Sequence, residues 1–234
     1  MYISRITLFP KPSFVALRTL LLPDETGARV AAAHKLMWSL FGDHEGREAD
    51  FLWKDAGKDT FLVLSRRKPM AGQDATEVCS LFRIETKQFD PAIKAGDELE
   101  FSLRVNATVA TKRDGERDGH REDILTRAIR ELRAREPGFT RACRDEAINE
   151  AAYKWLVQRS AANGFAVGSN TFSVENRDFV SVPRENGPPM RFGMMDLAGR
   201  IRVSDPDAFK ARLIAGFGRA KRFGCGLMLV RPAR

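Results

Sequence analysis

Gly216-Phe217-Gly218-Arg219-Ala220-Lys221-Arg222-Phe223-Gly224-Cys225-Gly226 is the stretch on which the reading of this chain turns. Four glycines and three cations share its eleven residues. A helix-like run, Ala208 to Ile214, leads into it, and an apolar strand-like run, Leu227 to Val230, leads out. Glycine permits positive φ and lets another backbone approach closely. Free backbone N–H groups in such a loop can form a nest for an anion. Arg219, Lys221 and Arg222 add charge suited to phosphate, and no Asp or Glu follows Asp207 to neutralise them. No Gly-Lys-Ser/Thr closes the loop, so it is not a Walker loop. On these residues alone it reads either as a phosphate-binding element or as a glycine-rich turn with solvated cations.

Working outward, the helix before the loop starts at Ser204-Asp205-Pro206, a cap residue followed by proline at a first helical position. Phe192 to Val203 before it reads as a strand, as do Phe165 to Val174 and Phe179 to Val182. Ile148, Ala151, Ala152, Trp155 and Leu156 predict a long helix closed by Asn163-Gly164. Ile124 to Leu132 predicts a shorter one, and Thr111 to Arg121 is a polar, charged connection. Leu99, Phe101, Leu103 and Val105 alternate strictly, which predicts a half-buried strand.

The first part of the chain shows a similar order. Tyr2 to Phe9 predicts a strand ended by Pro10 and Pro12. Residues 13 to 28 read as a connection broken by Pro23 and Gly27. Val30, Ala33, Met37, Leu40 and Phe41 share one side of a helix over Arg29 to Phe41, stopped by Gly42. Phe51 to Lys54 and Thr60 to Ser65 read as a hairpin around Asp55 to Asp59, and Val78 to Ile84 as a further strand. Lys68 to Thr76 is short and polar for the helix expected between them. The expected fold class is α+β, with two tandem ferredoxin-like β-α-β-β-α-β units over residues 1–90 and 97–234, joined by a linker from Asp90-Pro91 to Gly96-Asp97.

Hydrophobic residues are 43% and charged residues 30% of the 234, ordinary for a globular protein. No apolar run reaches membrane-spanning length, and no basic region with a long apolar core opens the chain, so neither a membrane partner nor a secretory signal is expected. Cys79, Cys143 and Cys225 are far apart and odd in number, which fits reduced thiols in a cytoplasm better than disulfides or a zinc cluster. A net charge of +8 favours a polyanionic partner. No close Asp/Glu/His ligand cluster appears, so no metal and no cofactor is expected.

The Gly-x-Gly-x-x-Lys-x-x-Gly-x-Gly spacing of residues 216–226 resembles the glycine-rich loop of the RAMP superfamily of CRISPR-associated proteins. Within it the chain resembles the CasE family, the repeat-processing endoribonucleases of type I-E CRISPR systems. Met1-Tyr2-Ile3-Ser4-Arg5 resembles the family's opening strand, and Ala33-His34-Lys35-Leu36-Met37-Trp38-Ser39-Leu40-Phe41 its catalytic-histidine helix. Leu99-Glu100-Phe101-Ser102-Leu103-Arg104-Val105-Asn106 resembles its Phe-x-Leu-Arg-x-Asn strand. These anchors span residues 1 to 230.

The resemblance implies the tandem ferredoxin-like fold, and cleavage of CRISPR repeat stem-loops in precursor RNA without a metal, leaving a 2′,3′-cyclic phosphate and a 5′-hydroxyl. It implies retention of the product as part of the type I-E interference complex, with that RNA and the other subunits as partners. His34 falls on the family's catalytic histidine. Without the resemblance, its place at the edge of the apolar side near Trp38 is more typical of a packed boundary residue. Histidine titrates near neutral pH and serves as acid or base; the sequence assigns His34 neither role alone. Lys35 could stabilise developing negative charge. Where many members carry a tyrosine one turn before the histidine, this chain has Ala31, and Tyr2 and Tyr153 are not nearby in sequence. His44 and His120 read as solvated. The RNA-binding candidates are Gly216, Gly218, Arg219, Lys221, Arg222 and Gly224, with Arg184 and Arg191 around a turn resembling the family's basic hairpin, and Arg104 alternating outward on its strand. RNA stems are read mostly by shape and phosphate, a task suited to such arginines. The competing reading is a non-catalytic RNA-binding RAMP subunit; a DNA- or nucleotide-binding regulator has no helix-turn-helix to support it.

Overall fold

The computed structural model describes residues 1–8, 15–41, 50–70, 81–111, 120–184 and 186–233. Its elements, in order, are β1 (Tyr2–Leu8), α1 (Val15–Leu21), α2 (Thr26–Ser39), β2 (Phe51–Asp55), β3 (Thr60–Ser65), β4 (Phe82–Gln88), β5 (Glu98–Val105), β6 (Thr108–Thr111), β7 (His120–Asp123), α3 (Ile124–Arg135), α4 (Arg141–Ser160), β8 (Phe165–Val167), β9 (Ser173–Val182), β10 (Met190–Val203), α5 (Pro206–Ala215) and β11 (Met228–Pro232). They fall into two compact units. The first holds Met1–Ala92, Val180–Arg191 and Ala220–Leu227; the second holds Ile93–Phe179, Phe192–Arg219 and Met228–Arg234.

Each unit is built on an antiparallel sheet of the same strand order. In the first it is β2-β3-β1-β4; in the second it is β11-β5-β10-β8, with β9 added beside β10. Numbering the four strands of each sheet by their own sequence order gives 4-1-3-2 both times. A β-α-β-β-α-β chain produces that order when each helical crossover skips one strand position. The fold is therefore α+β with two tandem ferredoxin-like units.

In the first unit, Ile6, Phe61, Val63 and Trp53 from the sheet meet Ala33, Leu36 and Met37 from α2, and Leu40 just after it, in one core. Apolar area removed from water there, at about 25 cal/mol per Å², holds the helix on the sheet. Polar contacts set its position. Glu25 caps α2, its carboxylate accepting from the N–H groups of Gly27 and Ala28. Arg29 donates to Asp55 at 2.9 Å and to Asp59 at 3.1 Å, tying α2 to the β2–β3 turn. A Cβ on Gly27 would lie 2.0 Å from the Ser181 carbonyl oxygen, so only glycine admits that approach.

The second unit follows the alternation of β5, where Leu99, Phe101, Leu103 and Val105 are buried and the residues between them are not. Ile148, Ala152, Trp155 and Leu156 of α4 and Phe209 and Leu213 of α5 complete its core.

Several expectations shift. Residues 13–28 contain α1 and the first turn of α2, because Glu25 supplies a cap that the Ser/Thr/Asp/Asn rule overlooks. The strand expected over Val78 to Ile84 is instead Phe82–Gln88, with residues 78–80 outside those described. Among the described residues it pairs with β1 alone, and most of its later side chains are polar and exposed. Phe165 to Val174 is not one strand: a 3₁₀ turn at Ser169–Thr171 separates β8 from β9, and Phe179 to Val182 is the end of β9. Thr108–Thr111 and His120–Asp123 pair as a small hairpin. His44, Cys79 and most of the weak helix over Lys68 to Thr76 lie outside the described residues.

Candidate active site

His34 lies on α2 beside the core-facing row of Ala33 and Met37, half-buried. Its ring meets Trp38, one turn on, edge to face at 6.2 Å, and Phe223 at 5.7 Å. Nδ1 is buried and has no hydrogen-bond partner among the described residues. Burial holds the imidazole pKa below its ordinary value, and the positive charge of Arg222 lowers it further, while a backbone hydrogen bond with Arg222 works the other way. The neutral ring is thus favoured near pH 7, a form that can accept a proton.

Phe223 and Arg222 belong to the glycine stretch, whose backbone is as unusual as its composition. Gly216, Gly218, Gly224 and Gly226 all have positive φ, and so does Ala220 at 53°. Lys221–Phe223 forms a single 3₁₀ turn between Ala220 and Gly224, both left-handed. In the first unit, a Cβ on Gly224 would stand 3.0 Å from the Trp53 indole, and Trp53 Nε1 donates to the Arg222 carbonyl at 3.2 Å. In the second unit, a Cβ on Gly218 would stand 2.5 Å from the Asn106 carbonyl oxygen, to which the Arg219 N–H donates at 3.0 Å. These two glycines are therefore places of close approach, by a backbone at Gly218 and by an indole ring at Gly224. Arg219 and Arg222 are exposed and Lys221 is partly so. Among the described residues, no three His, Cys, Asp or Glu side chains come together as metal ligands, and no helix is long and apolar enough to cross a membrane.

The sequence profile described as "CRISPR associated protein" matches residues 1–232. The chain belongs to the CRISPR-associated protein family. A curated relative, the CRISPR system Cascade subunit CasE of Escherichia coli (strain K12), is 25% identical over 204 residues, covering 85% of this chain and 90% of its own length. Thermus thermophilus Cse3 bound to an RNA representing a pre-cleavage complex has a TM-score of 0.66 at 23% identity, over 99% of this chain and 98% of its own. Cas6e from Escherichia coli str. K-12 has a TM-score of 0.53 at 19% identity, with both chains covered fully. The CasE membership implied by the motifs is borne out.

In this CRISPR-associated protein the other candidate residues are spread over both units. Lys35 is exposed one position along α2, roughly 100° round from His34. Ala31 is half-buried. Tyr2 is on β1, with the Lys68 ammonium 5.5 Å from its ring centroid, and Tyr153 packs on Phe172 in the second unit. Arg184 and Arg191 are exposed, with Arg184 Nη2 3.7 Å from Met190 Sδ. Arg104 makes a two-pronged pair with Asp196, both bonds 2.8 Å, across the β5–β10 register. Asn106, the last residue of its motif, is buried and donates to Asp123 at 2.7 Å and to the Gly193 carbonyl at 2.8 Å. Burial raises the Asp123 pKa against the hydrogen bonds it accepts. Sequence reasoning missed Trp53 and Phe223 as parts of the His34 site. The available signal was a tryptophan on a strand, whose N–H needs a partner when buried.

Proposed function

We propose that this protein is an endoribonuclease that cuts CRISPR repeat stem-loops in precursor RNA and keeps the product as a subunit of a type I-E interference complex in the cytoplasm. The observation that carries the reading is His34: a half-buried imidazole with a lowered pKa, beside the cationic turn at Arg222, on the helix where the family motif puts its histidine. Neutral His34 takes the proton of the 2′-hydroxyl, and the oxygen attacks the adjacent phosphate. The P–O5′ bond breaks, leaving a 2′,3′-cyclic phosphate and, after proton uptake, a 5′-hydroxyl. Lys35 and the turn cations stabilise charge on the phosphorane. This route uses no metal, and the described residues offer no ligand cluster that would argue for one. By sequence the domains run over 1–90 and 97–234; by contact the first unit also takes in Val180–Arg191 and Ala220–Leu227, so the catalytic helix shares a unit with most of the glycine stretch. RNA is held by the glycine stretch with Arg219, Lys221 and Arg222, by Arg184 and Arg191, and by Arg104, which also braces the β5–β10 pair. The name of the curated Cascade relative supports assembly with other subunits.

Ala31, in place of the family tyrosine, favours the second reading, a subunit that binds repeat RNA without cutting it. One experiment separates the two: incubation with labelled repeat stem-loops, with and without EDTA, and with a 2′-deoxy sugar before the cut. The nuclease reading expects cutting in EDTA and none of the deoxy RNA. Binding with no cutting of any stem-loop would establish the second reading.

A further inference from the structure

Trp53 and Arg222 are 169 positions apart, and no motif joins them, yet the indole Nε1 donates to the Arg222 carbonyl at 3.2 Å. The same indole lies where a Gly224 side chain would begin, with Cζ3 and Cη2 at 3.0 and 3.1 Å from that point. The Lys221–Phe223 turn is therefore referenced to one ring on both sides, by a hydrogen bond and by van der Waals contact. Two backbone bonds of the turn, Phe223 N to Ala220 O and Gly224 N to Lys221 O, are internal to it, and the Arg222 backbone also hydrogen-bonds His34. Trp53 is rigidly placed. It is 1% exposed, packs edge-on against Phe61 at 5.8 Å, and sits opposite Val63 in the β2–β3 register. A buried indole N–H requires an acceptor. Its acceptor here is the carbonyl of the residue whose charge and neighbour flank His34.

We infer that Trp53 is a positioning residue of the His34 site: its hydrogen bond to the Arg222 carbonyl fixes the turn that sets Phe223 against the imidazole and the Arg222 charge beside it. The inference rests on the proposed role of His34. A turn displaced by about 1 Å moves a ring contact and a cation together, a misplacement that can cost about 100-fold in rate.

Trp53→Phe removes the donor and keeps a flat apolar ring; Trp53→Met fills the space without a donor and carries the same expectation. Phe61→Leu is the control, loosening the packing of Trp53 while leaving its N–H in place. Three quantities are measured on the full chain: melting temperature, the NMR titration of the His34 imidazole assigned against His34→Ala, and single-turnover cleavage of a labelled repeat stem-loop. In the folded donor-less variants, stem-loop affinity stays within about twofold while cleavage falls about 10- to 100-fold. The His34 titration moves up toward 6.5, because burial and the Arg222 charge, the two larger influences, both act less on the ring and outweigh the loss of the raising hydrogen bond with the Arg222 backbone. Phe61→Leu lowers the melting temperature and leaves the titration in place. An unmoved titration with an unchanged rate in a folded donor-less variant overturns the inference, and so does an equal shift in Phe61→Leu. If the titration moves as expected but the wild type cuts no stem-loop, Trp53 still positions the ring and the nuclease reading is what fails.

Discussion

The long crossover helices of the two units do different work. In the second unit, α4 satisfies the polar groups of its aromatic face locally: Trp155 Nε1 donates to the Thr108 carbonyl at 3.1 Å, and the Arg159 guanidinium lies 4.4 Å from the Trp155 ring centroid while donating to the carbonyls of Trp155 and Thr108. In the first unit, α2 carries His34, whose Nδ1 is buried with no partner among the described residues and whose pKa is pushed down. The lesson is about satisfaction. Most buried polar atoms have hydrogen-bond partners, so one that lacks a partner calls for an explanation. Arg144 Nε on α4 is likewise buried without a hydrogen-bond partner among the described residues, so what sets the helix of the first unit apart is that its unpartnered atom belongs to a group that titrates near neutral pH.

The sharpest way to break this comparison is His34→Ala. It should lower single-turnover cleavage by about 10² to 10⁴-fold, the usual contribution of general acid–base catalysis, with stem-loop affinity largely kept. Tyr153→Phe on α4 should leave both unchanged. Equal rates for His34→Ala and wild type would remove the distinction.

Asn106→Ala should act on the second unit alone. It strips the Gly193 carbonyl of a buried donor and removes one of the hydrogen bonds to the Asp123 carboxylate, which still accepts from the Gly193 and Leu125 N–H groups, at about 1 to 3 kcal/mol in all. Urea unfolding should show the lowered midpoint, and the His34 titration should not move.

Replacing Arg219, Lys221 and Arg222 together by alanine should weaken stem-loop binding and flatten its salt dependence. The log–log slope should fall in magnitude by roughly 0.7 to 0.9 for each phosphate no longer neutralised. The weakening should be similar across stems of different sequence, since cations on phosphates do not read bases. An unchanged slope in the folded variant would mean that these cations are solvated.

The smallest effect concerns pH. The acid limb of kcat/KM reports the free enzyme, and it should fall below the ordinary histidine value of 6.5. The sign for stability follows from linkage. The unfolded chain binds the His34 proton first as pH drops, so the contribution of the neutral ring is complete above 6.5 and is lost as pH falls from there toward the folded pKa. His34→Ala should remove that part of the pH dependence. A limb above 6.5 would contradict the burial of the ring.

Much of the architecture was legible because it is local. The alternation of Leu99, Phe101, Leu103 and Val105 is a two-residue period, and it became β5. Asp205 before Pro206 became the cap of α5, its carboxylate accepting from Asp207 and Ala208. Asn163-Gly164 ended the helical segment that follows α4, with Gly164 left-handed. The glycine stretch announced positive φ, and four of its glycines have it. The His34 helix was recognisable from its apolar spacing and its motif.

What only the tertiary structure decided is which distant groups meet. Arg104 reads as an outward cation on its strand, and nothing within that strand names Asp196, 92 positions away. Asn106 announces that a donor and an acceptor need partners, and only the approach of Asp123 and Gly193 identifies them. Trp53 looks like one more apolar strand residue until the Arg222 carbonyl lies against its N–H. The physical reason is common to all three. Periodicity and caps are set by bonds among neighbouring residues and can be read along the chain. The partners of a buried polar group are chosen by sheet order and by close approaches, of the Asn106 backbone at Gly218 and of the Trp53 ring at Gly224, which exist only once the chain has folded.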